Sequence, residues 1–168
     1  MPSHEQQREA RRLALGAVFE ADFGQNTATR ILERRLTDEG APAPTAELAR
    51  EIVATVVARR DVLDARIEAL APRYPVVALA RMDRALLRSA MAELLHSRTT
   101  PARVAIAEWV ELARTYSGEP ARRLLNGVLG RVAREAADRG REIGAFGNSS
   151  EGGGDRHTGG SIGDSFDV

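Results

Sequence analysis

The chain has 168 residues, 43% of them apolar, which is enough to bury the core of one domain. Aromatic residues make up only 4%, so that core must come from Leu, Val, Ile and Ala, a composition that excludes a β-rich fold and predicts an all-α one. The 24 basic and 24 acidic residues cancel, which excludes a uniformly basic nucleic-acid coat but leaves local patches open.

Every basic residue is Arg, a planar fork suited to gripping phosphate in bidentate fashion. The chain has no Cys, which excludes disulfides, thiolate metal sites and a Cys nucleophile. No apolar run approaches the ~20 residues of a membrane span. The polar stretch Met1 to Arg12 lacks the apolar core of a signal peptide. A soluble cytoplasmic protein is the expectation.

In chain order, His4 to Phe23 reads as a helix, with Ala10, Leu13, Ala14, Ala17, Val18 and Ala21 at helical spacing and Gly24 at its stop. Thr29 to Leu36 is a shorter helix ending near Gly40. Thr45 is placed to cap a long helix to about Leu70, with Leu48, Ile52, Val53, Val56, Val57, Leu63, Ile67 and Leu70 as its stripe. Pro72 and Pro75 break it, and a short turn is expected over Pro75 to Ala80. Asp83 to His96 is a helix with Leu87, Ala90, Met91, Leu94 and Leu95 inward. Thr100-Pro101 starts the next, burying Ala102, Ile106, Trp109 and Ala113. A last helix is expected from about Ala121 to Ala137. Eight of the 15 Gly fall in the final 25 residues, so the chain divides into a helical domain, 1–143, and a Gly/Ser/Asp-rich tail, 144–168, expected to be disordered.

Two places carry candidate binding residues. Arg8, Arg11 and Arg12 cluster at the start of the first helix, with His4 one turn earlier. A cationic first turn opposes the helix dipole, which hints at binding, although a solvated helix end is the plainer reading of these residues alone. In the last helix, Ala121, Leu125, Val128, Leu129 and Val132 form the core stripe, while Arg123, Asn126, Gly127, Gly130 and Arg134 share another face. Two helical glycines cost roughly 1 kcal/mol each relative to Ala. Close packing of a neighbouring helix or approach of a ligand backbone would each offset that. His4, His96 and His157 are scattered, and no metal-ligand spacing, nucleophile elbow or phosphate-cradling loop is present. Glu108 and Glu111 read as a solvated face. Neither an enzyme nor a metal or cofactor is expected.

Three segments resemble the NusB family. Met82 to Leu95 (MDRALLRSAMAELL) resembles "DRAILR…YELL". Pro101 to Tyr116 (PARVAIAEWVELARTY) is similar to "P…VAINEAIELAK.F", and Leu124 to Gly130 (LLNGVLG) to "FVNGVLD". They stand in family order, and the Arg-rich opening agrees in kind. Departures fall at Leu124, where the family has an aromatic, and at Ala92, Ala107 and Gly130.

The resemblance implies two packed three-helix bundles. It implies an antitermination factor that binds boxA-type single-stranded RNA of ribosomal leader transcripts together with the ribosomal protein NusE, on the transcription elongation complex. His4, Arg8, Arg11, Arg12, Arg123, Leu124 and Asn126 then contact RNA, while Phe19 and Asp83 face the protein partner. A homodimer is an allowed assembly. The rival readings are an RNA-binding or protein-interaction module in ribosomal RNA processing or modification, and a scaffold without RNA contact. A fused methyltransferase is not expected, because nothing after Ala137 resembles such a domain.

Overall fold

The computed structural model describes residues 1–97 and 99–148. Six α-helices and one 3-10 turn follow in order: α1 His4–Ala21, α2 Ala28–Asp38, α3 Ala43–Leu70, the turn Val76–Ala78, α4 Arg81–His96, α5 Ala102–Tyr116 and α6 Glu119–Asn148. No strand occurs among the described residues. The all-α expectation holds, as two three-helix bundles: α1 to α3, and α4 to α6. Helix α4 joins them, packing on α1 and α3 as well as on α5. Residues 1–134 form one compact unit that carries the core, and α6 stays helical beyond it to Asn148.

Local chemistry sets the helix ends. Ser3 caps α1 in a reciprocal box: its hydroxyl accepts from Gln6 N–H, and the Gln6 side chain accepts from Ser3 N–H at 2.8 Å. Thr27 caps α2 by accepting from Arg30 N–H. Gly118 turns the chain from α5 into α6 at φ +109°, a conformation costly for any residue with a Cβ.

Several expectations require correction. Leu95 and Ala102 were expected to face inward, but each lies at an end of its helix and is exposed. Helix α3 begins at Ala43 after Pro42, with Pro44 in its first turn, so Thr45 is not the cap; it is buried, and its hydroxyl has no partner. Helix α3 also kinks at Arg59 (φ −124°, ψ 21°), without Pro or Gly, and Val57 is left 54% exposed instead of in the core. Helix α6 continues past Ala137 and through Gly144, because local glycine content did not stop it. The expected tail from 149 onward lies outside the described residues.

Helix α4 is buried over nine consecutive residues, Ala85 to Glu93, and so is surrounded on all sides. Its polar residues must therefore find partners inside the protein. Glu93 takes a two-pronged pair from Arg11 of α1, Nε to Oε2 at 2.9 Å and Nη2 to Oε1 at 2.8 Å, with both side chains fully buried. Trp109 of α5 donates its indole N–H to Glu93 Oε2 at 2.6 Å. One carboxylate thus ties three helices together. Arg88 extends the pattern, donating to Asp64 of α3 at 2.7 and 2.8 Å. Asp22, just past the end of α1, accepts from Arg84 and lies 3.8 Å from Arg88 and 3.9 Å from Arg60. The kink at Arg59 directly precedes Arg60.

A buried pair stripped of one partner leaves an uncompensated charge, which costs about 3–5 kcal/mol. Glu93→Ala is therefore expected to lower unfolding free energy by about that amount in urea denaturation. Glu111→Ala, on the exposed face of α5, should leave the midpoint unchanged. Equal midpoints for the two variants would remove Glu93 from its central role.

Candidate nucleic-acid interface

The sequence placed an arginine strip at the start of α1, but the fold separates its members. Arg11 faces Ala14, Leu15 and Val18 in the core and is fully buried, so it leaves the set of RNA-contacting candidates. Arg8 is exposed and donates to Glu108 of α5, from Nε at 3.0 Å and Nη2 at 3.4 Å. His4 Nε2 lies 3.1 Å from the same carboxylate. Arg12 is held by Glu9 and by Glu39 of the segment after α2.

These hydrogen bonds raise the pKa of the Arg8 and Arg12 guanidiniums and lower that of the Glu9 carboxyl. The shallow pocket here is lined by Glu5, Glu9, Glu108 and Glu111 against Arg8 and Arg12. Four carboxylates thus face two guanidiniums, and this end is not the cationic surface its sequence suggests.

The positive surface lies along α6. An open groove of about 830 Å³ runs between α6 and the segment from Leu70 to Leu79. Its charged lining is Arg73, Arg123, Arg131 and Arg134 against Asp83 alone. Arg131 donates to the carbonyl of Leu70 at 2.6 Å, closing the end of α3. Arg73, Arg123 and Arg134 make no ion pair among the described residues. Tyr74 is half exposed at the rim, and Leu124 is half buried in the wall.

The structure also decides between the two readings of the glycines. A Cβ built on Gly127 meets nothing within 4 Å, and one on Gly130 meets only the Arg134 side chain, at 3.4 Å. Among the described residues no helix packs on them. Asn126 is exposed next to Gly127. The Glu111 carboxyl pKa is lowered, first by its hydrogen bond from Arg114 and to a lesser degree by the charges of Arg8 and Arg122.

Of the two residues assigned to a protein partner, Asp83 lines this groove and Phe19 does not. Asp83, in the first turn of α4, accepts from Ser117 Oγ and borders the groove. Phe19 is half buried, edge-on to Phe23 at 5.3 Å, and Arg81 lies 4.5 Å over the Phe23 ring. This aromatic–cation stack was not anticipated, although Phe19 and Phe23 at i, i+4 were a legible signal. Among the described residues no group of three His, Asp or Glu could hold a metal, and no helix is long and apolar enough to cross a membrane.

Fold and surface define an all-helical module with an arginine-lined groove along α6. The chain belongs to the NusB family, whose profile matches residues 8–134. The transcription antitermination protein NusB of Dehalococcoides mccartyi is 37% identical over 131 residues, covering 78% of this chain and 92% of that protein. Its counterpart in Chloroflexus aggregans is 40% identical over 129 residues, covering 76% and 86%. Among solved structures, T. maritima NusB superposes with a TM-score of 0.72 at 29% identity, over 80% of this chain and 94% of that one. A complex of antitermination factors NusB and NusE with dsRNA shares the fold, with a TM-score of 0.68 at 24% identity, over 79% and 99%. The Dehalococcoides and Chloroflexus relatives are both named as transcription antitermination proteins.

Because the space above Gly127 is open, Gly127→Ala should stabilise the helix by up to about 1 kcal/mol. The expected readout is a melting temperature raised by a few degrees. A lower one would show that the strip is already packed.

Proposed function

We propose that this chain is an RNA-binding antitermination adaptor. It binds boxA-type single-stranded RNA of ribosomal leader transcripts together with NusE, and acts on the transcription elongation complex. The observation that carries the reading is the α6 groove, where unpaired arginines flank a strip without side chains. A phosphate backbone can lie against Gly127 and Gly130 while Arg123 and Arg134 neutralise it. Asn126 stands beside that path with a free amide for base edges or sugar, and Leu124 offers an apolar surface where the family has an aromatic. Arg8, Arg12 and His4 at the start of α1 are assigned as a further stretch of the RNA path. The complex of NusB and NusE with dsRNA supports an assembly with NusE and with RNA as a class. Asp83 and Phe19 are assigned to the NusE-facing surface, Asp83 as an acid for a basic residue of the partner.

Filter binding of a boxA-like RNA across a salt series tests the RNA assignment. Affinity should fall with salt at roughly −0.7 log units per phosphate neutralised. Arg123→Ala should flatten the slope by about that amount, whereas Asn126→Ala should weaken binding and leave the slope unchanged. Identical behaviour of parent and both variants at every salt concentration would refute the α6 path.

The partner is tested separately. Asp83→Arg should weaken NusE association by slowing the on-rate, with helicity retained in circular dichroism. An unaltered on-rate would take Asp83 out of that interface.

A further inference from the structure

The α1 end holds Arg8 in an unusual setting for a phosphate contact. Its partner Glu108 is set back in the wall of α5, with a side chain 13% exposed, while Arg8 itself is 62% exposed. The carboxylate accepts from two edges of the guanidinium and also faces His4. Carboxylate and phosphate are the two oxyanions that match the arginine fork. Glu108 therefore occupies the place an RNA phosphate would take, and Glu5, Glu9 and Glu111 add negative charge around it.

We propose that Glu108 is an intramolecular stand-in for RNA phosphate that limits how tightly this end of the protein holds RNA of any sequence. The proposal rests on the RNA-binding reading above. When RNA arrives, its phosphate must exchange with Glu108 on Arg8, and the displaced carboxylate stays nearby as a repelling charge. The net gain from the Arg8 contact is small. Phosphate contacts carry no sequence information, so lowering their yield leaves discrimination to groups such as Asn126 that reach the bases. Glu108 limits affinity through Arg8 and leaves the ratio of affinities between sequences unchanged. The arginine pair at the α1 end differs in this respect from Arg123 and Arg134, which have no acid to exchange.

The full chain and its Glu108→Gln variant are compared by filter binding on a boxA-like RNA and on a scrambled RNA of the same length. Glu108→Gln keeps a hydrogen-bond acceptor for Arg8 and removes the charge. The expected result is tighter binding of both RNAs by an equal factor of about two to five, the scale of a partly exposed ion pair. The salt slope should steepen by up to about 0.7. Arg8→Ala in the Glu108→Gln background should abolish the gain. A melting curve verifies that each variant is folded. The proposal is overturned by any of three results: no gain in Glu108→Gln, a gain confined to the boxA-like RNA, or an equal gain from Glu111→Gln, whose carboxylate pairs with Arg114 instead. Failure of the parent chain to bind either RNA overturns the RNA-binding reading itself. Binding by the parent with no gain in the variant overturns only the role of Glu108.

Discussion

The fold depends on one buried carboxylate. Glu93 sits on the helix that the others surround, and its two oxygens receive the Arg11 guanidinium and the Trp109 indole. An isolated charge at this depth is unstable, so α1, α4 and α5 must arrive in one mutual arrangement for any of the three groups to be satisfied. Apolar packing of Ala, Leu and Val alone tolerates sliding between helices. A fork with bond lengths near 2.8 Å does not. One Arg11 nitrogen, Nη1, has no partner even so, a cost the apolar surroundings must cover.

The same principle, with less burial, positions the joint between the bundles. Asp22 draws Arg84 and Arg88 from α4 and Arg60 from α3 to the end of α1. Arg60 follows the kink in α3, so the kink and the ion cluster are parts of one feature. Above this joint, the aromatic pair Phe19 and Phe23 with Arg81 forms a surface of different chemistry from the α6 groove.

Charge accounting over the whole chain conceals this organisation. Net charge is zero, yet four carboxylates crowd two arginines at the α1 end while four arginines share one acid in the groove. The arginines that are free to neutralise phosphate are those that no helix has recruited. Glycine has a matching role on α6: with no Cβ at Gly127, the groove floor stays open along a helix that elsewhere carries bulky side chains.

The helices, their order and most of their inward faces were legible in the sequence, because apolar spacing and caps are local properties of a chain. The core stripe of α6 is an example: Ala121, Leu125, Val128, Leu129 and Val132 are all buried as their spacing demands. The family motifs were legible for the same reason, being contiguous runs of residues. Which arginines reach solvent was not. Arg11 lies three, four and seven residues from Ala14, Leu15 and Val18, so its inward position had a signal in the periodicity. Its acceptor, however, is 82 residues away, and only packing brings the two together. Glu108, 100 residues from Arg8, is the same case. Local pattern thus fixed the elements, whereas tertiary structure decided which charges are spent on the fold and which stay exposed without an ion pair, because ion pairing is set by distance in space and not along the chain.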